Sequence, residues 1–174
     1  AIFNAFCTAV SGAMAATPLT SVKASYSGEW RGGKQEGRGS CRFAHGDEYE
    51  GAWKKGKKEG KGTLRFACGD MFEGEWKSDK PHGKGTYTSA QGVVREGGWK
   101  AGAADGRCTT RYACGRFGAV VVASGQQEGA VWSADRQKAW RVQPDGEPGA
   151  EISPAEAKKL VSWADVPQPA PERL

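Results

Sequence analysis

One motif is written into this chain four times at a fixed interval, and the interval limits what the chain can become. Tyr26, Tyr49 and Phe72 stand 23 residues apart, and Arg95 holds the next place. Gly28, Gly51, Gly74 and Gly97 follow two positions on, and Trp30, Trp53, Trp76 and Trp99 two after that. Gly37, Gly60, Gly83 and Gly106 keep the step, as do Gly46, Gly69, Gly92 and Gly115. Five columns in register over four copies define a repeat architecture, in which each unit buries its apolar face against its neighbours. The 26 glycines far exceed an average share, yet they fall in assigned columns, so this is not flexible low-complexity sequence.

From Tyr26 the apolar pattern has period two, the period of a strand. In the copy that opens at Tyr49, the residues Tyr49, Gly51 and Trp53 point to one face, and Glu50 and Ala52 to the other. The spacing predicts a turn over Lys54–Glu59 and a second strand with Gly60, Gly62, Leu64 and Phe66 on the first face and Lys61, Thr63 and Arg65 on the reverse. A tight turn through Cys68, Gly69 and Asp70 then delivers Phe72. Each copy is thus one β-hairpin, and successive hairpins add antiparallel strands to one sheet. Gly51 and Gly62 lack a Cβ and leave a flat floor on which the indole of Trp53 can lie, whereas Gly56 and Gly69 serve positive φ in turns.

The stretch Tyr-x-Gly-x-Trp-x-x-Gly-Lys-x-x-Gly-x-Gly, read from Tyr49 to Gly62 and followed by Gly69-Asp70, resembles a MORN repeat. The likeness runs from Tyr26 to Tyr112. It implies an all-β fold, a single-layer antiparallel twisted sheet of successive MORN β-hairpins, to which the residues add a short C-terminal α-helix. The resemblance also implies a link to anionic phospholipids. His82, in Lys-Pro-His-Gly-Lys-Gly, stands where such repeats commonly carry His before the glycine, and reads as a turn residue.

The chain divides into three parts. Residues 1–22 carry no charged side chain and include Ile2, Phe3, Phe6, Val10, Met14 and Leu19. The apolar run ends at Pro18, short of the roughly 20 residues that span a bilayer. It reads as a core-docking segment, as an anchor in a membrane or partner, or as the remnant of a targeting segment, since Ala-Met-Ala-Ala resembles a cleavage site without the basic n-region. The chain opens without Met, as a fragment or a processed form would. Residues 23–142 form the repeat sheet, with four clear copies and a degenerate closing copy in which Val120, Val121 and Val122 replace the Gly-x-Trp core. Val131-Trp132-Ser133 and Ala139–Val142, joined through Asp135 and Arg136, form a closing hairpin. In residues 143–174 a Pro/Gly/Asp linker, Gln143–Ala150, leads to a capping helix over 153–165 and a Pro-rich tail. Ser153 is its N-cap, Pro154 its first residue and Glu156 the partner in a capping box. Ala157, Leu160, Val161 and Ala164 form its apolar stripe.

No nucleophile elbow, phosphate loop or metal-spaced ligand cluster is present, and neither cofactor nor metal is expected. His45, Cys68, Gln91 and Cys114 share a column, but equivalent residues lie two strands apart, about 10 Å, too far to share a zinc ion. Five cysteines without a C-x-x-C pair read as reduced packing residues of a reducing intracellular compartment, cytoplasmic or cytoskeletal or membrane-associated, with an organelle left open. Glu36 and Glu59 stand beside turn lysines and suggest local ion pairs.

A single layer of hairpins supplies no cover for its own aromatic face. That face carries Tyr26, Trp30, Phe43, Tyr49, Trp53, Leu64, Phe66, Phe72, Trp76 and Tyr87, each worth roughly 1.5–3 kcal/mol when fully buried. A helix of about 20 Å is too short to cover four copies. The expected function is therefore a non-enzymatic scaffold or accessory structural subunit of a larger assembly. Its aromatic groove binds a helix or extended segment of a partner protein, or is filled in part by residues 1–22. The alternative is a peripheral membrane tether in which Lys54, Lys55, Lys57, Lys58 and Lys61 contact anionic phospholipid. Nucleic acid is disfavoured, because the rings point away from Lys61 and Arg65.

Overall fold

The computed structural model describes residues 24–124, 126–144 and 147–164. The readings made for residues 1–22 and for the Pro-rich tail lie outside the described residues. Twelve strands follow one another in sheet order, each antiparallel to the next. They are β1 (Ser25–Arg31), β2 (Lys34–Arg42), β3 (Glu48–Lys54), β4 (Lys57–Arg65), β5 (Met71–Lys77), β6 (Lys80–Thr88), β7 (Val94–Lys100), β8 (Ala103–Arg111), β9 (Phe117–Ala123), β10 (Gln126–Trp132), β11 (Ala139–Val142) and β12 (Pro148–Ile152). Among the described residues one helix, α1 (Pro154–Leu160), comes after β12. The expected all-β sheet of hairpins with a short C-terminal helix is the fold observed. Its residues cluster into two compact units, one containing β1 to β6 with Trp99–Ala103, the other Gln91–Gly98 with β8 to β12 and α1.

In the first unit the glycine columns become a row across the strands. Gly28 pairs with Gly39, Gly39 with Gly51, Gly51 with Gly62, Gly62 with Gly74, and Gly74 with Gly85. Gly37, Gly60 and Gly83 mark a bulge in the second strand of each hairpin, where φ is +68°, +93° and +65°. Between the pairs Trp53–Lys58 and Gly51–Gly62, three residues of β4 face Ala52 alone. An inserted residue in a strand needs the left-handed conformation that glycine adopts without strain. Because two extra residues are taken up, alternation is preserved across the bulge, and Lys58, Gly60 and Gly62 share one face.

The hairpin tips are shorter than the sequence predicts. Lys54 pairs with Lys57, so the turn is Lys55-Gly56 rather than the whole of Lys54–Glu59. Both residues have positive φ, +52° and +81°, the mirror-image turn whose twist matches that of the flanking strands. His82 is likewise in strand β6, opposite Glu75, and not in a turn. Glu36 and Glu59 do not pair with lysines. Each carboxylate accepts from a backbone N–H of the next turn, Lys55 at 2.9 Å and Ser78 at 2.9 Å, since an unsatisfied turn amide is a stronger attraction than an exposed ammonium.

At the opposite tips an aspartate does the same work. Asp47 accepts from the N–H of Ala67 at 3.0 Å, and Asp70 from that of Ala90 at 2.9 Å. The hydroxyl of Tyr87 also donates to the Asp70 carboxylate. Gly46 and Gly69 open these turns at φ +100° and +91°, and an ideal Cβ on either comes within 3.1 Å of the alanine Cβ in the next turn. Asp70→Ala removes the acceptor for two donors and is expected to lower stability by about 2 kcal/mol in urea unfolding. A change below half a kcal/mol would show that the turn is not held through this residue.

In the second unit the repeat columns are refilled. Val120 and Val122 stand in the columns of Gly97 and Trp99, and with Cys108, Val131 and Val142 they build an aliphatic cluster. The reverse face of the same strands carries Phe117, Ala119, Ala130, Trp132 and Ala139, and α1 packs there through Ala157 and Val161. Ile152, Leu160, Trp163 and Ala164 are partly buried against that cluster. The helix thus covers the face of β9 to β11 opposite the one that carries Val120 and Val131. Its N-cap is as expected, with Ser153 accepting from the Glu156 N–H and Glu156 from the Ser153 N–H. It ends at a C-cap on Val161 rather than running to 165. The closing hairpin forms, with Val131 opposite Trp140 and Trp132 opposite Ala139. The stretch taken as linker, Gln143–Ala150, includes the first three residues of β12, and Pro148 sits at the start of this edge strand, where its missing N–H costs nothing.

The aromatic face as candidate functional site

The rings of the first unit form a continuous file. Tyr26 meets Trp53 at a centroid distance of 5.4 Å, Trp53 meets Tyr49 at 5.1 Å, and Tyr49 meets Trp76 at 5.3 Å. Phe72 then meets Trp76 at 5.2 Å and Trp99 at 5.0 Å. All five contacts are edge-on, with interplanar angles from 81° to 89°, the arrangement favoured by aromatic quadrupoles.

The ring over the glycine floor is not the indole. An ideal Cβ on Gly62 lies 2.5 Å from Cζ and 2.7 Å from Cε2 of Tyr49, and the hydroxyl of Tyr49 lies 2.6 Å from one on Gly51. Phe72 covers Gly74 and Gly85 in the same way, and Tyr26 covers Gly28 and Gly39. The indole instead leans back toward the preceding strand. Trp53 Nε1 donates to the carbonyl of Gly39, Trp76 to that of Gly62 and Trp99 to that of Gly85, each at 3.0 Å. The buried N–H of each indole is thereby satisfied, as burial of tryptophan requires.

This packing closes the face more than the sequence predicts. Tyr49, Trp53, Leu64, Phe72 and Trp76 are buried, while Tyr26, Phe43, Phe66 and Tyr87 are half-buried. Trp30 stands apart at 58% exposed, against 5% for Trp53 and 3% for Trp76. In place of the open groove expected of nine rings and Leu64, the face is a filled bed with an accessible border. The reason is that each ring spends its faces on the glycine row and on two neighbouring rings.

Lys58 belongs to this face. Its Nζ lies 4.6 Å from the centroid of the Trp76 ring and 5.5 Å from those of Tyr49 and Phe43. Burial lowers its pKa, opposed by Asp79, Asp47 and Cys41, and burial raises that of the Tyr49 phenol. Lys58 pairs with Trp53 and shares the face of Gly60 and Gly62, a place hidden in the sequence because β4 begins at Lys57, inside the stretch expected to be turn. Lys54, Lys55 and Lys57 remain exposed at the hairpin tip, and Lys61 is exposed on β4 opposite Glu75. The five lysines grouped in sequence are thus not one surface.

Among the described residues no three His, Cys, Asp or Glu side chains stand close enough to hold a metal ion. No described helix is long and apolar enough to cross a membrane. The arrangement is a sheet of hairpins paved with edge-on rings. A scan against protein families matches the MORN repeat at residues 26–48, 49–71, 72–94 and 96–113, half of the chain. The chain belongs to the MORN repeat family, and with it to non-catalytic scaffolds of protein interaction. A search of curated proteins finds no match.

Proposed function

We propose that this chain is an accessory structural subunit that holds a helix or extended segment of a partner protein against its aromatic face, within a larger assembly. The supporting observation is the border of half-buried rings, Phe43, Phe66 and Tyr87, beside rings that are already packed and satisfied. Rings fixed in place lose little entropy on binding, so a partner gains from covering them. The inner rings, Tyr49, Trp53, Phe72 and Trp76, act with Leu64 as the bed that holds the border in place. A reducing compartment remains part of the proposal, with Cys108 packed as a small apolar residue whose thiol pKa burial raises.

A photo-crosslinking residue at Phe43 or Phe66, carried by the full chain in native extract, is expected to capture one protein reproducibly. With that protein purified, Phe43→Ser with Phe66→Ser should weaken binding at least about tenfold. Charge reversal at Lys54, Lys55 and Lys57 should leave it unchanged. The opposite pattern, with the charge reversal abolishing flotation on anionic liposomes and the ring variants inert, would favour the membrane tether.

A further inference from the structure

The two terminal strands of the sheet are built differently. β12 has five residues, opens on Pro148 and pairs with β11 across a register break between Trp140 and Val142. Each of these discourages another strand from adding. β1 has seven residues with neither proline nor lysine, and among the described residues it pairs only with β2. The bulge at that junction falls on β2, because Glu29 alone stands opposite the three residues between Gln35 and Gly39. β1 therefore keeps an even period along its outer side.

Trp30 gives that outer side a direction. It packs on Tyr26 at 5.1 Å and 83°, as Trp53 packs on Tyr49 at 5.1 Å and 89°. From that position Trp53 reaches across the preceding strand and donates to the carbonyl of Gly39, the residue paired with Gly51. Trp76 donates in the same way to Gly62, the residue paired with Gly74. An indole held as these are, but on β1, extends over the open side toward the place of a glycine paired with Gly28. Its 58% exposure agrees with that reach.

The sequence of β1 can supply such a glycine itself. Read outward from Gly28, Ser25-Tyr26-Ser27-Gly28-Glu29-Trp30-Arg31 is symmetric in character: polar, aromatic, polar on each side. We propose that β1 pairs antiparallel with β1 of a second copy about a two-fold axis at Gly28, each Trp30 indole donating to the Gly28 carbonyl of the other copy. In that register Tyr26 faces Trp30, Ser27 faces Glu29 and Ser25 faces Arg31. Aromatic pairs directly opposite each other are favourable, and no like charges are opposed. The glycine row, which already runs from Gly28 to Gly85, continues into the second copy. Isologous pairing of this kind closes on a dimer, whereas pairing β1 with β12 would propagate.

The full chain at about 100 μM, well above the micromolar Kd expected of an interface this small, should sediment as a dimer. Trp30→Ala should raise the dimer Kd at least about tenfold and leave the unfolding midpoint of dilute protein where it was. Ser25→Cys with Arg31→Cys should give, on mild oxidation, a disulfide joining position 25 of one copy to position 31 of the other, identified by peptide mapping. Directly opposed residues are about 4.5–5.5 Å apart at Cα, within disulfide reach. A monomer at that concentration would overturn the proposal. So would a dimer indifferent to Trp30→Ala, an assembly that grows beyond two copies, or cross-linking through any other pair.

Discussion

Gly62→Ala lowers the stability of the folded chain by about 3 kcal/mol or more, the cost of forcing atoms into a packed core. The new methyl would stand 2.5 Å from Cζ and 2.7 Å from Cε2 of Tyr49, and real Cβ atoms do not approach so closely. Tyr49 cannot step aside, because its ring is buried between Trp53 and Trp76 and its hydroxyl donates to the Ala52 carbonyl at 3.1 Å. Moving it would unseat two indoles at once. Gly62 has no positive φ, so the penalty is one of space and not of backbone strain. Gly33→Ala is the matched control, with φ +71° and nothing within 4 Å of the added carbon. It costs only the strain of a left-handed alanine, about 1 kcal/mol. Equilibrium denaturation of both variants decides the matter. Equal losses would mean that the Tyr49 ring does not rest on the glycine row.

The contrast shows which parts of this fold a sequence discloses. Period and parity are enough to place the strands, their antiparallel order and the column that each ring occupies. The helix start could be read from Ser153-Pro154-Ala155-Glu156 because capping is a local reaction of neighbouring residues. Turn length is harder to read than parity. A run of lysines around Gly56 looks like one long turn, whereas the hairpin closes on Lys55-Gly56 and β4 already includes Lys58, which lies over Trp76. Nor does a column state which ring leans in which direction. That Tyr49 covers the glycines while Trp53 reaches back to Gly39 depends on rotamers fixed by neighbours two strands away. The bridging roles of Asp47, Asp70, Glu36 and Glu59 were visible as columns, but a column of carboxylates beside lysines looks like ion pairing until the turn amides are placed. The tryptophan column gave no hint that Trp30 differs from Trp53, since the difference lies in what stands beyond the first strand.

Trp76→Ala is expected to cost about 4 kcal/mol, in the range measured for emptying a large buried aromatic site. The indole is 3% exposed and makes edge contacts with both Tyr49 and Phe72, and it sits beneath the ammonium of Lys58. Its removal leaves a void that these rings cannot fill, because each is held from its other side. It also strips the Gly62 carbonyl of the donor that Trp76 provides. Trp76→Phe separates the two losses. It keeps most of the ring area and should cost about 1–2 kcal/mol, chiefly for the missing N–H. Trp30→Ala, from the same column, should change the stability of dilute protein by no more than about 0.5 kcal/mol, as substitutions of exposed side chains usually do. Because neighbouring hairpins stabilise one another across their shared interfaces, the Trp76→Ala void should also speed amide hydrogen exchange in β4 and β5 on either side of it. Equal losses for Trp30→Ala and Trp76→Ala would mean that the file of edge-on rings contributes nothing beyond single-residue burial. Unchanged exchange in β4 and β5 would mean that the hairpins are stabilised separately and not by one another.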